Sequence, residues 1–283
     1  MATLATGPAV VRVEETALVS RQATHAPRGN HRDERLMWIT SQRVFYAGLL
    51  GAASERSIGA HGIYLSPVGA ALRIRIEGGD WQRGELMVVP PLVPHQIETE
   101  HRSIISLLIE SEFVDPARLP EFLQHRGPVD APAFIRQARD AHALLAAASG
   151  RQSFDRFDFD TLFFGAPLAA RPLDARIREV VGCLNADPAM PASAEQCAAS
   201  VGLSFSRFLH LFKQETGLTF RAFRAWKRAR SLLRHVRQST TLTDIALDTG
   251  YPDSTHFSHS IRQVYGLRPS DILAGSRRLA VHQ

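Results

Sequence analysis

Residues 193–218 read SAEQCAASVGLSFSRFLHLFKQETGL, and residues 241–267 read TLTDIALDTGYPDSTHFSHSIRQVYGL. With a shift of 48 residues, Cys197, Ala198 and Gly202 fall on Ile245, Ala246 and Gly250. One residue inserted after that glycine brings Phe208, His210, Lys213, Gln214, Gly217 and Leu218 onto Phe257, His259, Arg262, Gln263, Gly266 and Leu267. Each half is a short helix, a glycine-containing turn and a second helix, the pattern of a helix-turn-helix. A single copy is weak evidence; two copies joined by a basic helix point to a double reader of duplex DNA.

Charge supports this placement. From Pro172 onward the chain carries 15 Lys and Arg against 9 Asp and Glu, whereas the remainder carries 18 against 19. The net positive charge therefore belongs to the C-terminal third. Residues 221–237 hold seven basic and no acidic residues. Alone such a run is as readily a solvated helix face, but between two helix-turn-helix patterns it reads as a phosphate-tracking surface. The opening MATLATGPAVVRVEE lacks the basic leader and long apolar core of a signal peptide. No apolar run approaches the roughly 20 residues of a membrane span. Cys183 and Cys197 are the only cysteines and make no disulfide framework. A cytoplasmic protein with no membrane partner is expected.

Working back toward the N-terminus, residues 1–35 read as a partly ordered segment with one strand at 10–19. Residues 36–112 have β texture: segments 43–49, 62–67, 71–77, 85–90 and 103–110 are short, apolar and separated by glycine turns. Leu72, Ile74 and Ile76 alternate with Arg73, Arg75 and Glu77, as in a half-buried strand. Short strands at near-regular spacing predict a small barrel or sandwich. Residues 113–164 turn helical, at 116–124, 131–148 and 153–164, with a stripe of Phe134, Ile135, Ala138, Ala141, Leu144 and Leu145 that can dock on the barrel or dimerise the protein. Gly165, Pro167 and Pro172 mark a linker at 165–172. An all-α domain follows at 173–276 and a tail at 277–283. Its first helix, 175–185, is capped by Asp174 and carries a stripe of Ile177, Val180, Val181 and Leu184. The fold class is thus α+β and multidomain: a β-barrel, helices, then two helix-turn-helix motifs on a linker helix.

Within the repeat, Ser193 and Gln196 have capping-box spacing, and Thr241 caps the second copy. Phe205, Phe208 and Phe212 share one face, assigned to the core, as are Phe257, Ile261 and Val264. The outward sets match between copies as hydroxyl, imidazole and cation. Ser206, Leu209 and His210 in the first, and Ser254, Thr255 and His259 in the second, are the candidate base readers. Imidazoles and hydroxyls can donate to or accept from base edges, and Leu209 can pack on a thymine methyl. A lone surface histidine is ordinarily just solvated; two at one position of duplicated helices favour base contact. Lys213 and Arg262, with Ser204, Arg224, Arg228 and Ser258, are assigned to phosphate, which adds affinity and register but little sequence preference. The helix at 219–236 turns Phe220, Phe223, Trp226, Leu232, Leu233 and Val236 to the core and fixes the separation of the two readers. One turn of B-DNA, about 34 Å, is the separation that puts both in successive major grooves.

Residues 174–276 resemble the AraC/XylS family of transcription regulators. The resemblance rests on the spacing from Ile245-Ala246 through Gly250-Tyr251 and His256-Phe257-Ser258 to Tyr265-Gly266 and Pro269, and on LFKQETG with Phe223, Arg228 and Leu232-Leu233. It implies a chain that reads an asymmetric promoter with two modules, usually activates transcription, and then works with RNA polymerase. It also implies a small-molecule effector bound by the N-terminal domain, and a homodimer held by the intervening helices. Phe220 stands where the family commonly has proline, and Leu209 where it has a polar base reader.

GELMVVPPLVPHQI, residues 84–97, is similar to the second motif of the cupin barrel, with Gly84, Pro90 and His95 in place and Leu92 at the usual second glycine. The first motif is incomplete, because near His61 the chain has Gly59 where a partner histidine would sit. Two histidines make a poor metal shell, so neither metal nor cofactor nor catalysis is expected. A barrel interior lined by Tyr64, Leu72, Ile74, Trp81, Met87 and His95 is then open to an effector, unless these side chains simply fill the core. A cupin-type metalloenzyme with an appended DNA-binding domain, and a regulator without any ligand, are the competing readings.

Overall fold

The computed structural model describes residues 35–149, 153–236, 240–275 and 279–282. The strand expected at 10–19 lies outside them. The chain opens with strands β1 (Arg35–Ile39), β2 (Arg43–Leu49), β3 (Ala60–Leu65), β4 (Leu72–Ile76), β5 (Trp81–Gly84), β6 (Leu86–Val89), β7 (His95–Thr99), β8 (Ser103–Glu110) and β9 (Gly127–Val129). Helices α1 (Pro132–Ala148) and α2 (Phe159–Phe164) follow, then α3 (Ala175–Ala186), α4 (Ala194–Ser200), α5 (Phe205–Thr216), α6 (Phe220–Ser231), α7 (Leu242–Asp248), α8 (Ser254–Tyr265) and α9 (Pro269–Gly275). The last element is a strand, β10 (Leu279–His282), which pairs parallel to β1.

The strands form two open sheets and no closed barrel. One is ordered β10-β1-β2-β8-β3-β6-β9 and the other β5-β4-β7. Both faces of the large sheet are covered by other elements. Alternate residues along its strands face opposite ways. Phe45, Ala47, Ile63, Leu65, Leu86, Val88, Ile105 and Leu107 pack on one face with Phe134, Ile135, Ala138 and Leu145 of α1 and Phe159 and Phe163 of α2. Their neighbours Val44, Tyr64, Met87, Val89, Ile104 and Leu108 pack on the other, with the small sheet and with Trp226, Leu233, Phe257 and Ile261. Burial on both faces is why these strands read as nearly continuous apolar runs. It also packs the α1 stripe on the sheet, except for Leu144, which is 44% exposed.

Residues 116–124 form two 3-10 turns, Pro116–Arg118 and Glu121–Gln124, not one helix. Pro120 lacks the amide proton a helix needs and biases Leu119 to extended backbone. Residues 153–164 divide in the same way, into a 3-10 turn at Phe154–Arg156 and α2, which is capped by Asp158. A third core holds α3, α4, α5 and the start of α6 around Ile177, Leu184, Phe208, Phe212 and Phe223.

Candidate nucleic-acid interface

The two helix pairs are duplicated down to their caps. Ser193 Oγ accepts from the Gln196 amide at 3.2 Å while Gln196 Oε1 accepts from the Ser193 amide at 2.8 Å. Thr241 and Asp244 make the same reciprocal box on α7. Gly202 and Gly250 turn the chain with φ of 67° and 81°, in the left-handed region glycine enters freely. Helix α5 starts at Ser204, whose hydroxyl accepts from the Arg207 amide, and α8 starts at Asp253, which accepts from Thr255 and His256 at 2.8 Å each. They end at Gly217 and Gly266.

Ser206, His210 and Lys213 on α5, and Thr255, His259 and Arg262 on α8, are exposed, while Ser254 and Ser258 are half-buried. Leu209 is half-buried against the third core. On the inner faces Phe208, Phe212, Phe257, Ile261 and Val264 are buried. Phe205 departs from its expected place and is 46% exposed, with Leu211 buried instead. Phe205 opens α5, one turn before the helix reaches the shared core. Sequence reading passed over the Asp253–His256 pair at 2.8 Å, which fixes the start of α8.

The connecting helix departs most from expectation. Of its basic residues, Arg224, Lys227 and Arg230 are buried, and Arg237 lies outside the described residues. Arg224 donates to the carbonyl oxygens of Ala192 and Met190, so it braces the entry to α4 and does not face phosphate. Arg228 is half-buried, with Nε 3.4 Å from the Pro188 carbonyl. Lys227 Nζ lies 2.5 Å from both Glu110 Oε2 and Glu112 Oε1, at the end of β8. Arg230 Nε stands 2.6 Å from Glu110 Oε1 as a close ion pair rather than an aligned hydrogen bond. Trp226 Nε1 donates to Glu110 Oε2 at 2.8 Å. Both carboxylates have no exposed side-chain surface. Burial works to raise Glu110, but Lys227, Arg230 and the hydrogen bonds from Lys227 and Trp226 outweigh it and hold it below the usual carboxylate value. Glu112 is pushed up, by burial and by the neighbouring Glu110 charge, against the pull of Lys227. A helix rich in positive charge is thus turned inward, onto the sheet.

Other contacts tie both helix pairs to the sheet region. The Ser57 amide donates to the carbonyls of Gln263 and Val264, and Arg171 donates to those of Ser111 and Gln214 at 3.2 Å. Leu92 holds φ of 63°, a left-handed value unusual for a branched residue, and its side chain packs on the core of the first pair. That is the position at which the cupin motif has glycine.

Of the expected barrel-lining residues, Leu72, Ile74 and Met87 are fully buried core, and Trp81 sits half-buried beneath the guanidinium groups of Arg73 and Arg75. His95 is buried: its Nδ1 meets the Val93 carbonyl at 2.8 Å and its Nε2 the Tyr64 hydroxyl at 3.0 Å. Burial depresses His95 to about 4, so the ring is neutral, with Nδ1–H donating and Nε2 accepting. His61, on β3, is likewise lowered to about 4 by burial and by the Arg171 charge. Among the described residues no three His, Cys, Asp or Glu side chains cluster as metal ligands. Tyr64 alone of the six lines a cavity between the sheet and the second helix pair.

Comparison with known proteins agrees with the duplicated geometry. Residues 197–275 match the family described as "Helix-turn-helix domain". The chain is 38% identical over 106 residues to the HTH-type transcriptional activator RhaS of Klebsiella pneumoniae (strain 342), covering 36% of this chain and 37% of that one. It is 28% identical over 99 residues to the bifunctional transcriptional activator/DNA repair enzyme Ada of Escherichia coli (strain K12), covering 35% and 28%. The match thus spans little more than a third of RhaS and less than a third of Ada. The fold of the larger part of the chain is similar to that of apo ToxT from Vibrio cholerae, with a TM-score of 0.57 at 12% identity over 86% of this chain and 99% of that one. Two capped helix pairs on one connecting helix, with these matches, mark residues 197–275 as a helix-turn-helix domain similar to that of the transcriptional activator RhaS.

Proposed function

We propose that the chain is a sequence-specific transcription regulator that lays α5 and α8 in successive major grooves of a promoter. The observation that carries this is the repetition of hydroxyl, imidazole and cation on two helices that each end at a left-handed glycine and whose inner faces are buried. His210 and His259, with Ser206, Leu209, Ser254 and Thr255, read bases. Lys213 and Arg262, with Ser204 and Ser258 at the two helix starts, hold phosphate. Arg228 joins them from the connecting helix. The likeness to RhaS, described as an activator, supports activation through RNA polymerase in the cytoplasm.

The sheet region, cupin-like in its 84–97 turn, serves as the regulatory part. Its means of control is the buried contact with α6, since a shift there moves the element that spaces the two readers. The test is selection of bound sites from random duplexes with the full-length protein, followed by salt titration. Bipartite sites about one helical turn apart, and affinity falling steeply with salt, are expected. Binding with neither feature would overturn the reading.

A further inference from the structure

Phe205 is the ring of α5 that the fold leaves outside. Phe208 and Phe212 are fully buried, with ring centroids 5.6 Å apart, and both meet Phe220 edge-on. Phe205 takes no part in that cluster and is 46% exposed. Leu209, one helical turn on, shares its side of the helix and is half-buried. In the register that sets Phe208 on Phe257, Phe205 falls on Ser254 and Leu209 on Ser258. The two helices thus differ at matched positions: α5 carries an apolar pair where α8 carries two hydroxyls. The exposed cations of α5 are Arg207 and Lys213. Its acid, Glu215, is half-buried and accepts from the Asp174 amide at 2.7 Å. A single surface phenylalanine needs no explanation by itself. An apolar pair does when its helix exposes positive charge and it stands in the first turns, where such a helix meets base edges.

We propose that Phe205 is a specificity residue, which packs with Leu209 on the 5-methyl group of a thymine in the half-site read by α5. A phenyl ring offers no conventional hydrogen bond, so it cannot read the donors and acceptors of adenine, guanine or cytosine. The thymine methyl is the apolar group that the bases present in the major groove. Closing on it removes from water the part of the Phe205 ring that folding leaves exposed. The module of α5 therefore selects thymine by burying its methyl, and that of α8 selects by hydrogen bonds from Thr255 and His259. This asymmetry fixes the order of the two half-sites, which two readers of like chemistry would accept interchanged. The proposal rests on the DNA-reading function above and deepens it by naming the base.

The test takes the site that the full-length protein selects from random duplexes and replaces its thymines by deoxyuridine, one at a time. The exchange deletes a methyl group and leaves every hydrogen-bonding atom of the base in place. Affinity read by fluorescence anisotropy should fall about fourfold at one or two thymines of one half-site, the worth of a buried methyl group. It should stay level at thymines of the other half-site. Phe205→Ser, which gives α5 the side chain that α8 has at the matched position, should bind thymine and deoxyuridine alike at one of the sensitive positions. Its Tm should stay close to that of wild type, because the ring lies outside the buried cluster. Phe205→Leu should keep part of the difference. A selected site without thymine, equal affinities for thymine and deoxyuridine throughout, or a difference that survives intact in Phe205→Ser would overturn the proposal and leave the regulator reading standing. Failure to select any site would sink both.

Discussion

Gly59 lies flat against the indole of Trp226, so close that a Cβ at position 59 would stand 2.4 Å from Trp226 Cγ and 2.6 Å from its Cβ. Position 59 is where the cupin motif would place a metal-binding histidine. Here the space belongs to a tryptophan from the connecting helix, whose Nε1 is held by Glu110 on β8.

Gly59→Ala is therefore expected to push α6 off the sheet. Overpacking of this kind costs about 1–3 kcal/mol. Hydrogen exchange should show faster exchange across Phe220–Ser231 with little change in α1, which packs on the opposite face of the sheet. Uniform exchange rates identical to wild type would contradict the close approach.

Lys227→Met removes the cation shared by two buried carboxylates. Breaking a buried pair from one side costs about 3–5 kcal/mol. Glu112→Gln added to Lys227→Met should recover part of that loss, since Glu112 is the carboxylate already pushed toward its neutral form. Denaturant midpoints of the two single variants and the double one give the coupling energy, and additive effects would argue against a shared cluster.

On the recognition helices, His259→Ala should change which base is preferred at one position of the bound site, costing about 1–3 kcal/mol against the preferred base. Arg262→Ala should weaken all sequences alike and lower the salt slope by about one. Lys227→Ala, in contrast, should leave the salt slope of the docked protein unchanged. A competition series against variant duplexes distinguishes the three.

Acid should destabilise the protein through its buried histidines. His61 and His95 sit at about 4 when folded, against an ordinary value near 6.5. The unfolded chain then binds more protons between those values, so the stability is present above about 6.5 and lost as pH falls toward 4. For the fully enclosed His95 the loss reaches roughly 3 kcal/mol. Unfolding midpoints taken at pH about 7 and about 5 should differ less in His95→Gln than in wild type.

Leu92→Gly should relieve the left-handed backbone at that turn, worth about 1–2 kcal/mol, while deleting the contact of Leu92 with the first helix pair. The sheet region gains local rigidity as α5 loses protection, and hydrogen exchange reads both at once.

The repeat at 193–267 was legible, apart from the place of Phe205 and the Asp253 cap, because nearly everything that makes it is local. Caps, glycine turns and helical periodicity act over four or five residues, so Ser193, Gly202, Thr241 and Gly250 identify themselves. The same holds for β2 and β8, whose limits follow from their apolar runs. The expected barrel failed for the complementary reason, since a continuous apolar run says that both faces of a strand are buried but not by what. Only the fold assigns one face of the large sheet to α1 and α2 and the other to the small sheet and the second helix pair.

The basic helix shows where sequence stops. Seven cations without an acid between them read as a phosphate surface, because the carboxylates that meet Lys227 and Arg230 are more than a hundred residues away, on β8 and just beyond it. Arg56 is the converse case, a cation that looks like any surface arginine in the sequence and is buried only because sheet and helix close around it. Local chemistry determined two capped helix pairs; long-range packing decided which of the positive charges around them stay exposed.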